Sequence, residues 1–200
     1  LKYLLVGLIV SGAMAWGQSA TSSPAAPEPQ MPMYTAAELA AKLPAAKAED
    51  VKSMDAILHA IHDVISGPAG GRDWGRFRSL FLPQARFTQT SPAESGGGTV
   101  VIAWDEEEFI RDASQVFSQE GFYENAIVNK TEMYGNIAQV FSSYESRRKL
   151  GEKVFQRGIS GIQLIDDGQR WWVLPILWDS ERAGSPLPAK FAYGLRLPGK

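Results

Sequence analysis

Residues 122–178 constrain the fold more than any other part of the sequence. They contain four runs rich in β-branched and aromatic residues, "FYENAIVNKTEM", "IAQVFSSYESRR", "VFQRGISGIQLI" and "RWWVLPILW", divided by the turn signals "YGN", "KLGEK" and "DDGQ". Long strand-forming runs broken by Gly, Asn and Asp predict an antiparallel meander. A sheet of that length needs covering, and the last strand makes the need acute. In extended chain, Trp172, Leu174, Ile176 and Trp178 point one way and Trp171, Val173, Pro175 and Leu177 the other, and both sets are apolar. A strand with one wet face alternates, so both faces are expected to be dry. Left in water, such a strip would cost several kcal/mol at ~25 cal/mol per Å². Helices are expected on one side. On the other, a second copy of the chain is expected against Trp171, Val173 and Leu177, with the N-terminal segment or the tail after Ser180 as the alternative. Pro175 lacks an N–H and is expected at an edge or a bulge.

The helical cover is legible upstream. Val51, Met54, Ile57, Leu58, Ile61 and Ile65 form one stripe at helical spacing, ended by Gly67-Pro68. Asp73 can cap a short second helix carrying Trp74, Phe77, Leu80 and Phe81, which Pro83 ends. "ARFTQT" and "TVVIAW" read as short strands on either side of the loop "SPAESGGG". A third helix starts at Asp105, with Glu108 at capping-box spacing, and buries Phe109, Ile110, Ala113, Val116 and Phe117 before Gly121.

The N-terminal quarter reads differently. Residues 1–20 have Lys2, an apolar run from Tyr3 to Val10 and small residues at Ala13 and Ala15, the layout of a signal peptide cleaved near Ala15 or Ala20. The run is too short to span a bilayer, so no membrane span is expected after cleavage, and the protein is expected in a bacterial periplasm or secreted. Residues 21–49 are a Pro/Ala-rich linker in which Thr35 and Glu38 could start a short helix. The folded domain is expected over residues 50–181 and a surface tail over residues 182–200. The absence of cysteine leaves stability to packing and removes thiolate metal ligands. With 20 basic and 22 acidic residues, the formal charge of −2 offers no field for nucleic acid.

Two stretches carry a family resemblance: "DWGRFRSLFLPQARF" after the first helix and the closing hairpin "GIQLIDDGQRWWVLPI". With the order helix, short helix, strand, helix and long strands, residues 50–181 resemble the nuclear transport factor 2-like superfamily, which includes ketosteroid isomerases, scytalone dehydratases and polyketide cyclases. The resemblance implies an α+β fold, a cone-shaped curved antiparallel sheet packed against three N-terminal helices, whose mouth often forms a ligand pocket. It does not fix chemistry. Where the isomerases carry a base carboxylate, this chain has Gln89 and Thr90.

No catalytic residue stands out from the residues themselves. His59 lies nearly opposite the apolar stripe of its helix and His62 at its margin, so both read as solvated or half-solvated. No G-x-S-x-G motif, metal-ligand spacing or phosphate loop occurs, and neither metal nor cofactor is expected. Asp112 and Glu145 read as surface charges. Aromatics are the richer signal: Trp74, Phe77, Phe109, Tyr144, Trp172 and Trp178, with Gln163, are the candidates for lining an apolar pocket. The sequence therefore leads to a small-molecule-binding or assembly domain. The alternative is an isomerase or dehydratase that uses a carboxylate and Tyr144 in such a pocket.

Overall fold

The computed structural model describes Thr35, Glu38, residues 41–94 and residues 96–192. The expected signal peptide and most of the expected linker lie outside the described residues. Within the linker, the Thr35 amide donates to Glu38 Oε2 at 2.7 Å and the Glu38 amide to Thr35 Oγ1 at 3.3 Å, the two bonds of a capping box.

Helix α1 (Ala48–Val51) is a single turn that buries Asp50 and Val51. Ser53 then takes an extended conformation and its hydroxyl accepts the Ala56 amide at 3.1 Å, starting helix α2 (Met54–Ile65). Of the stripe read from sequence, Val51, Ile57, Leu58 and Ile61 are buried and Met54 and Ile65 half-buried, and Val64, outside that reading, is buried with them. Helix α3 (Trp74–Arg78) starts at Asp73, which accepts the Arg76 amide at 2.9 Å. Helix α4 (Glu106–Gln119) opens on a complete capping box, Asp105 and Glu108 each accepting the other's amide at 2.9 Å.

The strands are β1 (Phe87–Pro92), β2 (Thr99–Trp104), β3 (Tyr123–Tyr134), β4 (Ile137–Arg147), β5 (Gln156–Asp166) and β6 (Trp171–Ser180), in one sheet ordered β2-β1-β6-β5-β4-β3. The meander from β3 to β6 is antiparallel, as expected. The sheet as a whole is mixed, because β1 pairs with β6 in parallel. No hairpin links these two strands, so nothing local imposes an antiparallel pairing. The core lies between one face of this curved sheet and the helices. Ile57 and Ile61 meet Val140, Ile162, Leu164 and Val173 there, and Phe77, Phe81 and Phe87 close one end.

Strand β6 answers the question of its two dry faces through a register slip. Ile162 pairs with Ile176 but Leu164 pairs with Val173, so Leu174 and Pro175 together stand opposite Gln163. This is a β-bulge, and Pro175, which has no N–H to give, sits in it. The extra residue inverts the alternation. Before the bulge Val173 faces the core, fully buried, and Trp171 packs against it; after the bulge Ile176 and Trp178 do. Val173 and Trp171, expected on an outer face, are therefore inward residues, and Leu177 alone of that set is open, at 52% exposure. Trp172 points to the opposite side from Val173 and is still only 1% exposed. Its indole N–H donates to Asp167 Oδ2 at 2.6 Å and the Arg170 guanidinium lies 3.6 Å over its ring, where burial lowers the Arg170 pKa to about 10.

The C-terminal segment is more than a surface tail. A 3-10 turn, Ala189–Phe191, lays Phe191 against Phe141 with ring centres 5.8 Å apart, and Ser143 Oγ donates to the Phe191 carbonyl at 2.7 Å. Phe191 and Ala192 are buried by this contact. Part of the sheet's outer face is thus covered by the chain itself.

Candidate functional site

A cavity of about 250 Å³ lies between α2, α3, α4 and the inner face of the sheet. Its apolar floor is a nest of rings: Phe87 and Phe109 stack at 4.6 Å, with Phe77 5.6 Å from the first and 5.5 Å from the second. These contacts follow from α3 and α4 each presenting an aromatic where β1 crosses beneath them. Trp178 forms one wall, stacked on Trp104 at 5.9 Å with the rings nearly parallel.

Polar groups enter from two sides. On one, His62 of α2 is 7% exposed, and its Nδ1 lies 2.9 Å from Glu124 Oε1 of β3. A carboxylate can only accept, so Nδ1 carries a proton, and in the neutral imidazole Nε2 is then the nitrogen with the lone pair. The second oxygen of Glu124 accepts from Ser146 Oγ at 3.0 Å, and the Glu124 amide donates to Ser66 Oγ at 2.9 Å, so the carboxylate is held at both ends. His62 Nε2 is buried and meets no hydrogen-bond partner among the described residues. An unmet buried polar atom costs ~1–3 kcal/mol, so a group that pairs with it is favoured.

On the other side, the Tyr144 hydroxyl lies 3.3 Å from Ser180 Oγ, which also accepts from Gln156 Nε2 at 2.6 Å. Burial pushes the Tyr144 pKa up to about 12, so at neutral pH the phenol is a hydrogen-bond donor and not a base. Gly158 makes room for this ring: a Cβ there would stand 2.5 Å from the Tyr144 hydroxyl and 2.3 Å from the Asp179 carbonyl. Gln89 and Ser160 complete the polar lining.

The expected pocket residues divide. Phe77, Phe109, Tyr144 and Trp178 line the cavity. Trp74 stands behind it, edge-on to Phe77 at 5.5 Å. Gln163 lies on the outer face, where it donates to Gln139 Oε1 at 3.0 Å, and Trp172 faces away because of the bulge. His62 and Glu124 are absent from the sequence-based set. His62 sits at the margin of the apolar stripe as read, but β3 packs across that margin and buries it. The signal available was a histidine and a glutamate with no exposed face to occupy, visible only once β3 is placed on α2. Asp112 is tied to Trp104 Nε1 at 2.9 Å and to Arg111 outside the cavity. Glu145 is buried, not a surface charge: it faces away from Tyr144 and pairs with Arg147 at 2.7 Å.

His62 and Glu124 also border a second, more polar groove of about 620 Å³ shared with His59, Asp63, Tyr123 and Arg147. Among the described residues no group of three or more His, Cys, Asp or Glu could hold a metal ion, and no helix is long and apolar enough to cross a membrane.

No family model and no curated protein matches the sequence. Solved structures do. A cystatin-like protein of unknown function from Nostoc punctiforme is 7% identical with a TM-score of 0.48, covering 62% of this chain and 85% of its own. A nuclear transport factor 2-like protein with a cystatin-like fold from Novosphingobium aromaticivorans is 9% identical at 0.44, covering 66% and 80%. A candidate dehydratase of the same family from Streptomyces avermitilis is 11% identical at 0.42, covering 62% and 90%. At these identities the likeness concerns architecture and says nothing about substrate or reaction. The chain itself is an α+β protein, a curved six-stranded mixed sheet ordered β2-β1-β6-β5-β4-β3 with helices on one face.

Proposed function

We propose that the protein is an exported binding domain for a small, largely apolar molecule bearing one hydrogen-bonding group, held in the cone cavity. The observation that carries this reading is His62: a buried imidazole, fixed by Glu124, with its second nitrogen unpaired beside an aromatic-lined space. A cavity of ~150 Å³ holds a benzene, so this one has the volume for a fused or substituted ring whose hydroxyl donates to Nε2. The N-terminal apolar run supports export.

Titration with 2-naphthol, followed by tryptophan fluorescence, to which Trp178 in the cavity wall contributes, tests the reading. Saturable quenching is expected, weakened ~10-fold by His62→Ala, the worth of one hydrogen bond. Ala113→Trp, which fills the cavity from α4, should remove the response. A response indifferent to both substitutions would mean that the probe binds elsewhere.

The fixed His62–Glu124 pair also favours proton transfer as a second reading, because a carboxylate behind an imidazole holds the tautomer that a general base needs. A ketone such as 2-tetralone would then exchange its α-hydrogens with deuterated water faster in the presence of the protein. The acceleration should be absent from His62→Ala and reduced in Glu124→Gln. No acceleration by the unaltered protein would leave binding alone.

A further inference from the structure

The two edges of the sheet are built differently. The β3 edge carries Glu124, Lys130 and Glu132 and a register shift between Ala126 and Val128, charges and an irregularity of the kind that keep an edge from pairing with another strand. The β2 edge has neither. Its sequence, TVVIAW, holds no charge and no proline, and its pairing with β1 runs unbroken from Thr99↔Pro92 to Trp104↔Phe87. Val100 is 42% exposed, Val101 61% and Ile102 42%, so β-branched side chains stand in water on both faces of the strand.

Hydrogen-bond parity identifies which backbone groups of β2 point away from the sheet. The Ile176 amide donates to the Arg86 carbonyl at 2.9 Å. In the parallel β1–β6 register this turns the backbone groups of Thr88 and Thr90 toward β6, and those of Phe87, Gln89 and Ser91 toward β2. Their partners Trp104, Ile102 and Val100 must therefore point back at β1. The Ala93 amide, donating to the Gly98 carbonyl at 3.3 Å, continues the same parity into the loop. Thr99, Val101 and Ala103 are left with their N–H and C=O groups aimed outward.

We propose that this edge pairs with the β2 strand of a second copy of the chain, antiparallel about a two-fold axis at Val101, so that one sheet runs through both molecules. The axis sets Val101 against its own counterpart and Thr99 against Ala103, joined by the outward backbone groups, with Val100 against Ile102 on the other face. Val-Val-Ile is nearly its own reverse about Val101, a match that pairing with an unrelated peptide would not require. No like charges meet across the axis, which removes the usual obstacle to a strand pairing with itself. A five-residue ladder falls short of the ~1,200–2,000 Å² of a stable interface. The association is accordingly a concentration-dependent equilibrium.

Sedimentation of the full chain from ~1 µM to ~500 µM is expected to pass from monomer to dimer. Val101→Pro deletes only an outward N–H and spares the β1 ladder, so it should raise the midpoint concentration ~10-fold or more. Val101→Lys should do the same by placing like charges opposite each other. Amide exchange gives a reading free of substitution: Val101 and Ala103 should be protected at the highest concentration and open at the lowest. Leu177→Glu, on the outer face of β6, should leave the equilibrium unchanged. A dimer broken by Leu177→Glu and indifferent to Val101→Pro would be a face-to-face pair and would overturn the proposal. A chain monomeric throughout would overturn it, and so would a Val101 amide protected at every concentration, the mark of a segment of the same chain on the edge.

Discussion

Replacing Phe77 by alanine is expected to cost about 3–5 kcal/mol, the upper range for truncating a buried aromatic. The size follows from position. Phe77 is 2% exposed and touches the rings of Trp74, Phe81, Phe87 and Phe109, so it joins α3 to β1 and α4 at once. Deleting it removes the transfer energy of the ring and leaves four neighbours that cannot all close the gap, because each is fixed by a different element. Urea unfolding should show a lower midpoint at an unchanged slope, and the melting temperature should fall by roughly 10 °C or more. Phe77→Leu should recover more than half of the loss. An alanine variant within 1 kcal/mol of the unaltered protein would mean that the nest does not bear on stability. The same deletion enlarges the cavity, so the variant should also accept ligands too bulky for the native site.

The second large effect is electrostatic. Arg76 on α3 forks onto Asp50, Nε to Oδ2 at 2.7 Å and Nη2 to Oδ1 at 2.9 Å, and reaches Asp63 on α2 with Nη1. Asp50 is 8% exposed, so Arg76→Met would strand a buried carboxylate. We expect a loss of roughly 3 kcal/mol at pH 7, the low end for breaking a buried pair, since 17% of the Arg76 side chain remains in contact with water. The pH dependence separates this from a packing defect. Hydrogen bonding to Arg76 holds the Asp50 pKa below its ordinary value, so its contribution is present above the unfolded value of ~3.9 and is lost as pH falls through the lowered one. The difference between the two proteins should therefore shrink between pH 5 and 2, on the order of the usual carboxylate range. A difference constant across that window would exclude the ion pair as its source.

What the sequence disclosed was whatever depended on local pattern. The α2 stripe, the Asp105–Glu108 box and the Gly-containing turns of the meander each arise from residues a few positions apart, and all are present in the structure. What it withheld depended on contacts between distant segments. The parallel seating of β1 beside β6 joins residues about ninety positions apart, as in Gln89↔Trp178, and leaves no trace in either strand. Burial of His62 requires β3 to lie on α2, and the docking of Phe191 requires the outer face of β4. The cavity was half legible: Phe77, Phe109, Tyr144 and Trp178 declare themselves as aromatics, whereas the imidazole with the unpaired nitrogen belongs to His62, which the helical wheel alone consigned to the margin.

The doubled residue at Leu174–Pro175 acts as a phase shift in the pleat. A sequence written beside this one without a gap at that point would be in step for Ile176 to Trp178 and out of step for Trp171 to Val173, matching inward side chains with outward ones. Relatedness across this strand is therefore better judged from the two sides of the slip separately, and a relative lacking the proline should be looked for with one residue fewer.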